Sequence, residues 1–240
     1  MVESDGLENH CRIYSTEGSN PSLSSMLDLN IGCAVILNGT MAKNDVSFLK
    51  NFDAIKIAAD GAANILIKNK IIPNYVVGDL DSFNFKLAQT TNLINVPNQN
   101  QYDFEKCLEF SIENTLNNVL VFGINGGLFD HTLNNWSIFV KYSSQINLFC
   151  YNEGQIGTLI TEDTSFNSEI GDIISIIPTP TATLTTEGLK WNLDNTTLEI
   201  GKTEGARNKA INKNISIKLH FGKYMLFKSV SIKSGIYTSL

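Results

Sequence analysis

Two aspartates one residue apart close an apolar run in Tyr75-Val76-Val77-Gly78-Asp79-Leu80-Asp81-Ser82-Phe83. In a strand running into a loop, residues i and i+2 point the same way, with Cα atoms about 6–7 Å apart. Two bare carboxylates at about 6 Å repel by roughly 3 kcal/mol at an effective dielectric near 20. Solvent, a basic neighbour or a divalent cation can offset that cost. No lysine or arginine lies between Lys70 and Lys86, so nothing local neutralises Asp79 and Asp81. Their hard oxygens suit Mg²⁺. A solvated turn with an aspartate capping a helix near Phe83 uses the same residues without chemistry.

The elements that position these groups alternate. Short β-type runs occur at 31–37, 54–59, 75–77, 93–96, 118–122 and 146–151, with helical stretches near 42–51, 62–69, 83–90, 102–116 and 130–143. Several of the runs are apolar throughout, as in parallel strands covered on both faces. This alternation predicts a parallel sheet with helices on both sides, whose ligands bind at the carboxyl ends of the strands. The polar motifs fall at those ends. Asn38-Gly39-Thr40 follows the first strand and Asp60-Gly61-Ala62-Ala63-Asn64 the second. The Asp79/Asp81 pair follows the third, and Gly123-Ile124-Asn125-Gly126-Gly127 the fifth. Asp103 and Asp130 stand at helix starts, where each can serve as a cap. Together the carboxylates can hold Mg²⁺ and phosphates through it, and the open amides at Gly126-Gly127 can contact a phosphate.

Beyond residue 152 the helical period is lost. Thr/Ile/Leu runs at 172–177, 181–186, 197–200, 215–219 and 224–232 are broken by Gly, Pro and Asn, which predicts an all-β module. The stretch 201–214 has few apolar residues and reads as a long loop. The expected class is therefore an N-terminal parallel-sheet α/β domain (30–152) followed by a C-terminal all-β sandwich domain (153–240), preceded by a mobile tail (1–29).

Composition excludes several classes. A net charge of −6 with no basic tract argues against nucleic-acid binding. No apolar run approaches the ~20 residues of a membrane span, and the acidic, Ser-rich start fits neither a signal nor a transit peptide. Cys33, Cys107 and Cys150 sit in apolar runs and Cys11 is isolated, as expected of reduced thiols in a cytoplasmic protein. The chain contains no GxxxxGK[ST], no GxGxxG after a strand and no GxSxG. His10, His131 and His220 are the only histidines, too few to build a His/Cys zinc site.

Six segments in order carry a family resemblance: VILNGT (35–40), ADGAAN (59–64), PNYVVGDLDSF (73–83), QYDFEKCLEF (101–110), GGLFDH (126–131) and GLKWNL (188–193). With them the chain resembles the thiamine pyrophosphokinases from Ile31 to Ser229. The resemblance implies transfer of the pyrophosphoryl group of ATP to the hydroxyl of thiamine, giving thiamine diphosphate and AMP. It also implies a homodimer with sites at the subunit interface. Carried over by motif, Asp79, Asp81 and Asp103 form the Mg²⁺-centred catalytic cluster with Asp60 near it. Asn38, Gly39, Gln99, Lys106, Asp130 and His131 surround the nucleotide, with Gly126 and Gly127. Thr185, Thr186, Trp191 and Asn208 lie on the thiamine side. An aromatic wall suits a cationic thiazolium joined to a flat pyrimidine.

The chain departs from the family at three points. Ile65 and Leu128 stand where the family carries arginines, and Asn100 where an acidic residue is common. Only Arg12 and Arg207 exist in the whole chain. Arginine's planar fork grips phosphate bidentately, so these are not neutral exchanges. Arg207, beside Asn208, is the candidate replacement phosphate contact. A diphosphotransferase with another acceptor, or an inactive thiamine- or nucleotide-binding homologue, are the alternatives these losses leave.

Overall fold

Residues 31–82, 91–233 and 236–238 are described by a computed structural model. The expected tail (1–29) and the expected helix over 83–90 lie outside the described residues.

Strands and helices alternate as β1 (Cys33–Ile36), α1 (Lys43–Asn51), β2 (Ile55–Ala59), α2 (Ala62–Lys68), β3 (Tyr75–Gly78) and β4 (Asn92–Asn95). They continue as α3 (Asp103–Glu113), β5 (Asn118–Phe122), α4 (Phe129–Tyr142) and β6 (Asn147–Asn152). The six strands are parallel, in the order β6-β5-β1-β2-β3-β4. β1 is buried along its whole length between β2 and β5, which is why Cys-Ala-Val-Ile shows no polar alternation. The pleat sends Ala34 and Ile36 to one core with Phe48, Leu49 and Leu66 of α1 and α2. It sends Cys33 and Val35 to the other, with Phe104, Cys107 and Leu108 of α3 and Phe139 of α4. In α3 the buried Phe104, Cys107, Leu108 and Ser111 recur at helical spacing, giving one apolar stripe. Each fully buried leucine or phenylalanine in these layers stabilises the fold by about 1.5–3 kcal/mol.

The sheet does not end at β6. Glu153 and Gly154, both at positive φ (46° and 77°), make the tight turn into β7 (Gln155–Ile160), which returns antiparallel. Paired positive φ values match the natural strand twist of a two-residue hairpin. There follow β8 (Thr164–Asn167), β9 (Ile173–Glu187), β10 (Thr196–Glu199), β11 (Gly205–Lys209) and β12 (Asn214–Ser229), with a small ribbon of β13 (Ser231–Lys233) and β14 (Ile236–Thr238). The whole sheet reads β10-β9-β12-β7-β6-β5-β1-β2-β3-β4, with β11 on β9 and β8 on β12.

The strand-rich region is organised by two long strands. The first half of β9 pairs with β11 and the end of β12; its second half pairs with β10 and the start of β12. β12 carries register shifts between Leu219 and Phe221 and between Gly222 and Tyr224. Such shifts bend a strand, and Ile174, Ile176, Leu184, Leu198, Ile215, Ile217 and Leu226 from both halves share one core. Four expectations are corrected here. The runs 172–177 and 181–186 are one strand, as are 215–219 and most of 224–232, and β7 and β8 were not foreseen. The stretch 201–214 is not a plain loop, because β11 lies within it.

Candidate active site

The order of the parallel strands reverses between β1 and β5, the place where open α/β sheets leave a crevice at their carboxyl edge. The loops that flank it touch backbone to backbone. Thr40 N donates to the Asn125 carbonyl at 2.7 Å. A Cβ on Gly39 would lie 2.1 Å from the Gly123 oxygen and 2.2 Å from that of Asn125, so only glycine fits. Gly126 sits as tightly against Thr40, and Gly126 and Gly127 hold φ values of 101° and 71° that favour glycine.

One strand further along, Asp60 ends β2 in a left-handed conformation (φ 33°), 2% exposed. Its Oδ2 accepts the Ser82 amide at 3.2 Å, while Oδ1 is buried without a partner. Burial pushes this carboxyl above the usual carboxylate range; the Ser82 hydrogen bonds oppose the shift, and the charges of Asp103 and Asp79 add to it. Next to it β3 ends at Gly78, whose missing Cβ would stand 2.7 Å from Asp60 Cβ and 3.3 Å from Asp103 Oδ1. The glycine is what lets the two rims close.

Asp79 is half-buried and accepts Gln99 Nε2 on Oδ2 at 2.8 Å. That amide, helped by the Asp81 backbone and the Lys106 charge, holds the Asp79 carboxyl below the usual range against a partial opposing effect of burial. Leu80 turns through φ 65° and delivers Asp81, whose Oδ1 accepts the Ser82 hydroxyl at 2.9 Å. One oxygen from each of Asp60, Asp79 and Asp81 lies within 4.8 Å of the others.

The grouping differs from the expected one. Asp60 completes the trio, and Asp103, at the first turn of α3, instead accepts Lys106 Nζ at 2.9 Å. Lys106 has only 3% of its side chain exposed, so its charge is committed to Asp103. Asp130 and His131 open α4, both exposed; the Asp130 carboxylate takes the His131 amide at 2.9 Å. Leu128 is 68% exposed on the same rim. Ser82 was not singled out from the sequence, although it braces both Asp60 and Asp81. A serine directly after two alternating aspartates was the available signal.

A second cluster lies elsewhere. Trp191 is 56% exposed, and Asn208 brackets its backbone, accepting Trp191 N at 3.1 Å and donating to Trp191 O at 2.7 Å. Thr185 accepts Asn195 N at 3.0 Å and shares a hydrogen bond with His220 Nε2 at 2.8 Å. Thr186 is buried, and its hydroxyl accepts Leu193 N at 2.8 Å, so it orders the loop that presents Trp191. Arg207 sits exposed at φ 59° in a register shift of β11. β9, which carries Thr185, stands six strand steps from β2, roughly 29 Å along the sheet at about 4.8 Å per step.

Residues 47–150 match the family model described as thiamin pyrophosphokinase, catalytic domain, and residues 162–226 match thiamin pyrophosphokinase, vitamin B1 binding domain. The chain is 25% identical over 232 residues to thiamin pyrophosphokinase 1 of Caenorhabditis elegans, covering 87% of this chain and 94% of that protein. It is 28% identical over 180 residues to thiamine pyrophosphokinase 2 of Arabidopsis thaliana, covering 61% and 67%. Among solved structures, the fold is shared with thiamin pyrophosphokinase from Candida albicans (TM-score 0.71, 16% identity, 87% and 92% covered). It is shared equally with the enzyme from Bacillus subtilis (TM-score 0.69, 21% identity, 83% and 99% covered). With both halves matched in order, the chain belongs to the thiamin pyrophosphokinase family.

Proposed function

We propose that this chain transfers the pyrophosphoryl group of ATP to the hydroxyl of thiamine, releasing AMP and thiamine diphosphate. The observation that carries the reading is the Asp60/Asp79/Asp81 trio beside the switch-point loops, in a chain whose second half matches a vitamin B1 binding domain.

The trio fits a divalent cation. It offers three hard oxygens, and the buried, unpartnered Asp60 Oδ1 is a lone acceptor that such a cation would satisfy. Mg²⁺ held there supplies neutralisation of the phosphate oxygens. The chain's own residues do the rest. Gln99 keeps Asp79 ionised and aimed at the rim. Ser82 fixes Asp60 and Asp81 relative to each other. The amides of Gly126 and Gly127, with Asn38 and Gly39, cradle the nucleotide, and Lys106 orients Asp103 toward the same rim. Transfer of this kind is dominated by positioning and electrostatics. A carboxylate of the rim accepts the thiamine hydroxyl proton, a small demand in a loose transition state.

Thiamine is held by Trp191, braced by Asn208, with Thr185 beside it. In this reading 30–152 is the nucleotide- and metal-binding unit and 153–240 the thiamine unit. The separation between them along the sheet supports sites built from the rim of one subunit and the Trp191 platform of another, in a homodimer. The test supplies ATP, Mg²⁺ and thiamine, and measures AMP and thiamine diphosphate together. Equal yields of the two are expected. ADP in place of AMP, or AMP released only with a different alcohol acceptor, would reject the assignment.

A further inference from the structure

The surroundings of Trp191 carry a charge that a purely cationic ligand does not explain. The segment 189–191 runs antiparallel to 208–210: Leu189 bridges Ala210, Lys190 N donates to the Lys209 carbonyl at 2.8 Å, and Asn208 grips Trp191. Arg207 and Lys209 flank Asn208 in the chain and Lys190 precedes Trp191, so the three cations belong to the two segments that meet at Trp191. Lys190 Nζ stands over the indole, 4.7 Å from the ring centroid. Lys190, Arg207 and Lys209 are all exposed, and none makes an ion pair among the described residues. Three cations without an ion pair among the described residues therefore lie on the two segments joined at Trp191, one of them over the indole, in a chain with net charge −6.

Arg207 is also the one arginine among the described residues. It is held at φ 59°, its amide donating to Ser175 Oγ at 2.9 Å. Non-glycine residues avoid that conformation unless the surroundings impose it, and such strain concentrates at ligand-binding positions. A thiazolium stacked on Trp191 would be repelled by these three charges. An anion attached to the same ligand would be drawn to them, and the guanidinium fork matches phosphate oxygens bidentately. At the acidic rim, by contrast, Lys106 is already engaged with Asp103.

We propose that Arg207, with Lys190 and Lys209, forms an anion subsite at the edge of the Trp191 platform that takes the diphosphate of a flat, cationic aromatic ligand. The proposal rests on the reading that Trp191 stacks thiamine. It makes the platform selective for the diphosphorylated form over the free alcohol, so the product end of the reaction is gripped by the β-module as well as by the acidic rim.

Calorimetric titration of the full chain in EDTA tests it, since without divalent metal the aspartate rim repels phosphate. The probes are thiamine, thiamine diphosphate and inorganic pyrophosphate, against wild type and Arg207→Gly, whose backbone accepts the positive φ without strain. Thiamine diphosphate is expected to bind wild type about tenfold or more tighter than thiamine. Arg207→Gly should lose that advantage while thiamine affinity stays within about twofold, and Arg207→Lys should keep part of it. Unchanged thiamine diphosphate affinity in Arg207→Gly, or equal weakening of both thiamine forms, overturns the subsite. Should neither thiamine form bind while pyrophosphate binds in an Arg207-dependent manner, the subsite stands and the thiamine reading falls.

Discussion

Gln99 Nε2 donates to Asp79 Oδ2 at 2.8 Å, tying the loop before α3 to the end of β3 across the open rim. This bond is the largest influence holding the Asp79 carboxyl below its ordinary range. A depressed carboxylate stays ionised as pH falls, so the proposed ligand function of Asp79 persists below the ordinary value near 3.9 and is lost only at more acid pH. Gln99→Ala removes the donor, and the Asp79 pKa should rise. The acid limb of kcat/KM is expected to move to higher pH, and the Mg²⁺ concentration for half-maximal rate to rise about 2–10-fold, in line with loss of an outer-shell partner. A pH profile coinciding with wild type would refute the role given to Gln99.

Asp60 behaves in the opposite sense. Its buried carboxyl is shifted upward, chiefly by burial. In metal-free protein the native state therefore holds the proton more tightly than the unfolded chain. The resulting penalty is absent below the ordinary carboxylate pKa near 3.9 and grows as pH rises through the elevated native value. Asp60→Asn removes the charge while its side-chain oxygen can still accept the Ser82 amide. At pH 7 in EDTA the variant should melt about 2–4 °C above wild type, with the gap closing toward pH 4. Added Mg²⁺ should raise the wild-type melting temperature and leave the variant unmoved. A variant stabilised by Mg²⁺ as strongly as wild type would remove Asp60 from the metal set.

These two aspartates mark where the sequence was informative and where it was not. Asp79 follows β3, whose Val76 and Val77 are buried, and such apolar runs are readable because parallel strands have no solvent side. β5 was bounded correctly at 118–122 for that reason. That an oxygen of Asp60 gathers with those of Asp79 and Asp81 needed the fold, because the space left by the missing Gly78 Cβ is where Asp60 and Asp103 both pack against the end of β3. Even so, Asp103 and Lys106 stand one helical turn apart, a spacing that already allowed the ion pair that engages Asp103. In the β-module, Pro178 and Pro180 inside β9 and Gly222 inside β12 read as breaks, yet both strands run through them. Gly-Ala-Arg-Asn-Lys carries no apolar alternation, and its pairing to β9 was invisible without the partner strand.

Gly39→Ala is predicted to disrupt the crevice rather than the core. A Cβ there meets two carbonyl oxygens of the Gly123–Asn125 loop, and backbone cannot step aside as a flexible side chain can. The loops must separate, at a cost of about 1–3 kcal/mol typical of overpacking. The proposed nucleotide cradle would open as they part. The expected result is a rise in KM for ATP of about tenfold or more with little change in KM for thiamine, measured by initial rates. Equal changes in both would mean a global loss of structure and would reject this local account.

The spacing between the acidic rim and the Trp191 platform leads to the sharpest prediction about assembly. Along the sheet, β12, β7, β6, β5 and β1 lie between β9 and β2. If each site joins the rim of one subunit to the platform of its partner, two different inactive chains can repair one another. Asp79→Asn lacks a working rim and Trp191→Ala lacks a working platform, so each alone should show at most a few per cent of wild-type turnover. In a mixed dimer, the intact rim of the Trp191→Ala chain meets the intact platform of the Asp79→Asn chain. The other site carries both lesions. Random exchange of equal amounts makes about half the dimers mixed, each with one of two sites intact, so recovery should approach about a quarter of wild-type activity. The recovery should require subunit exchange, brought about by mild denaturant and dilution, and should be absent when the chains are mixed without it. No recovery after verified exchange would place rim and platform of one site within a single chain.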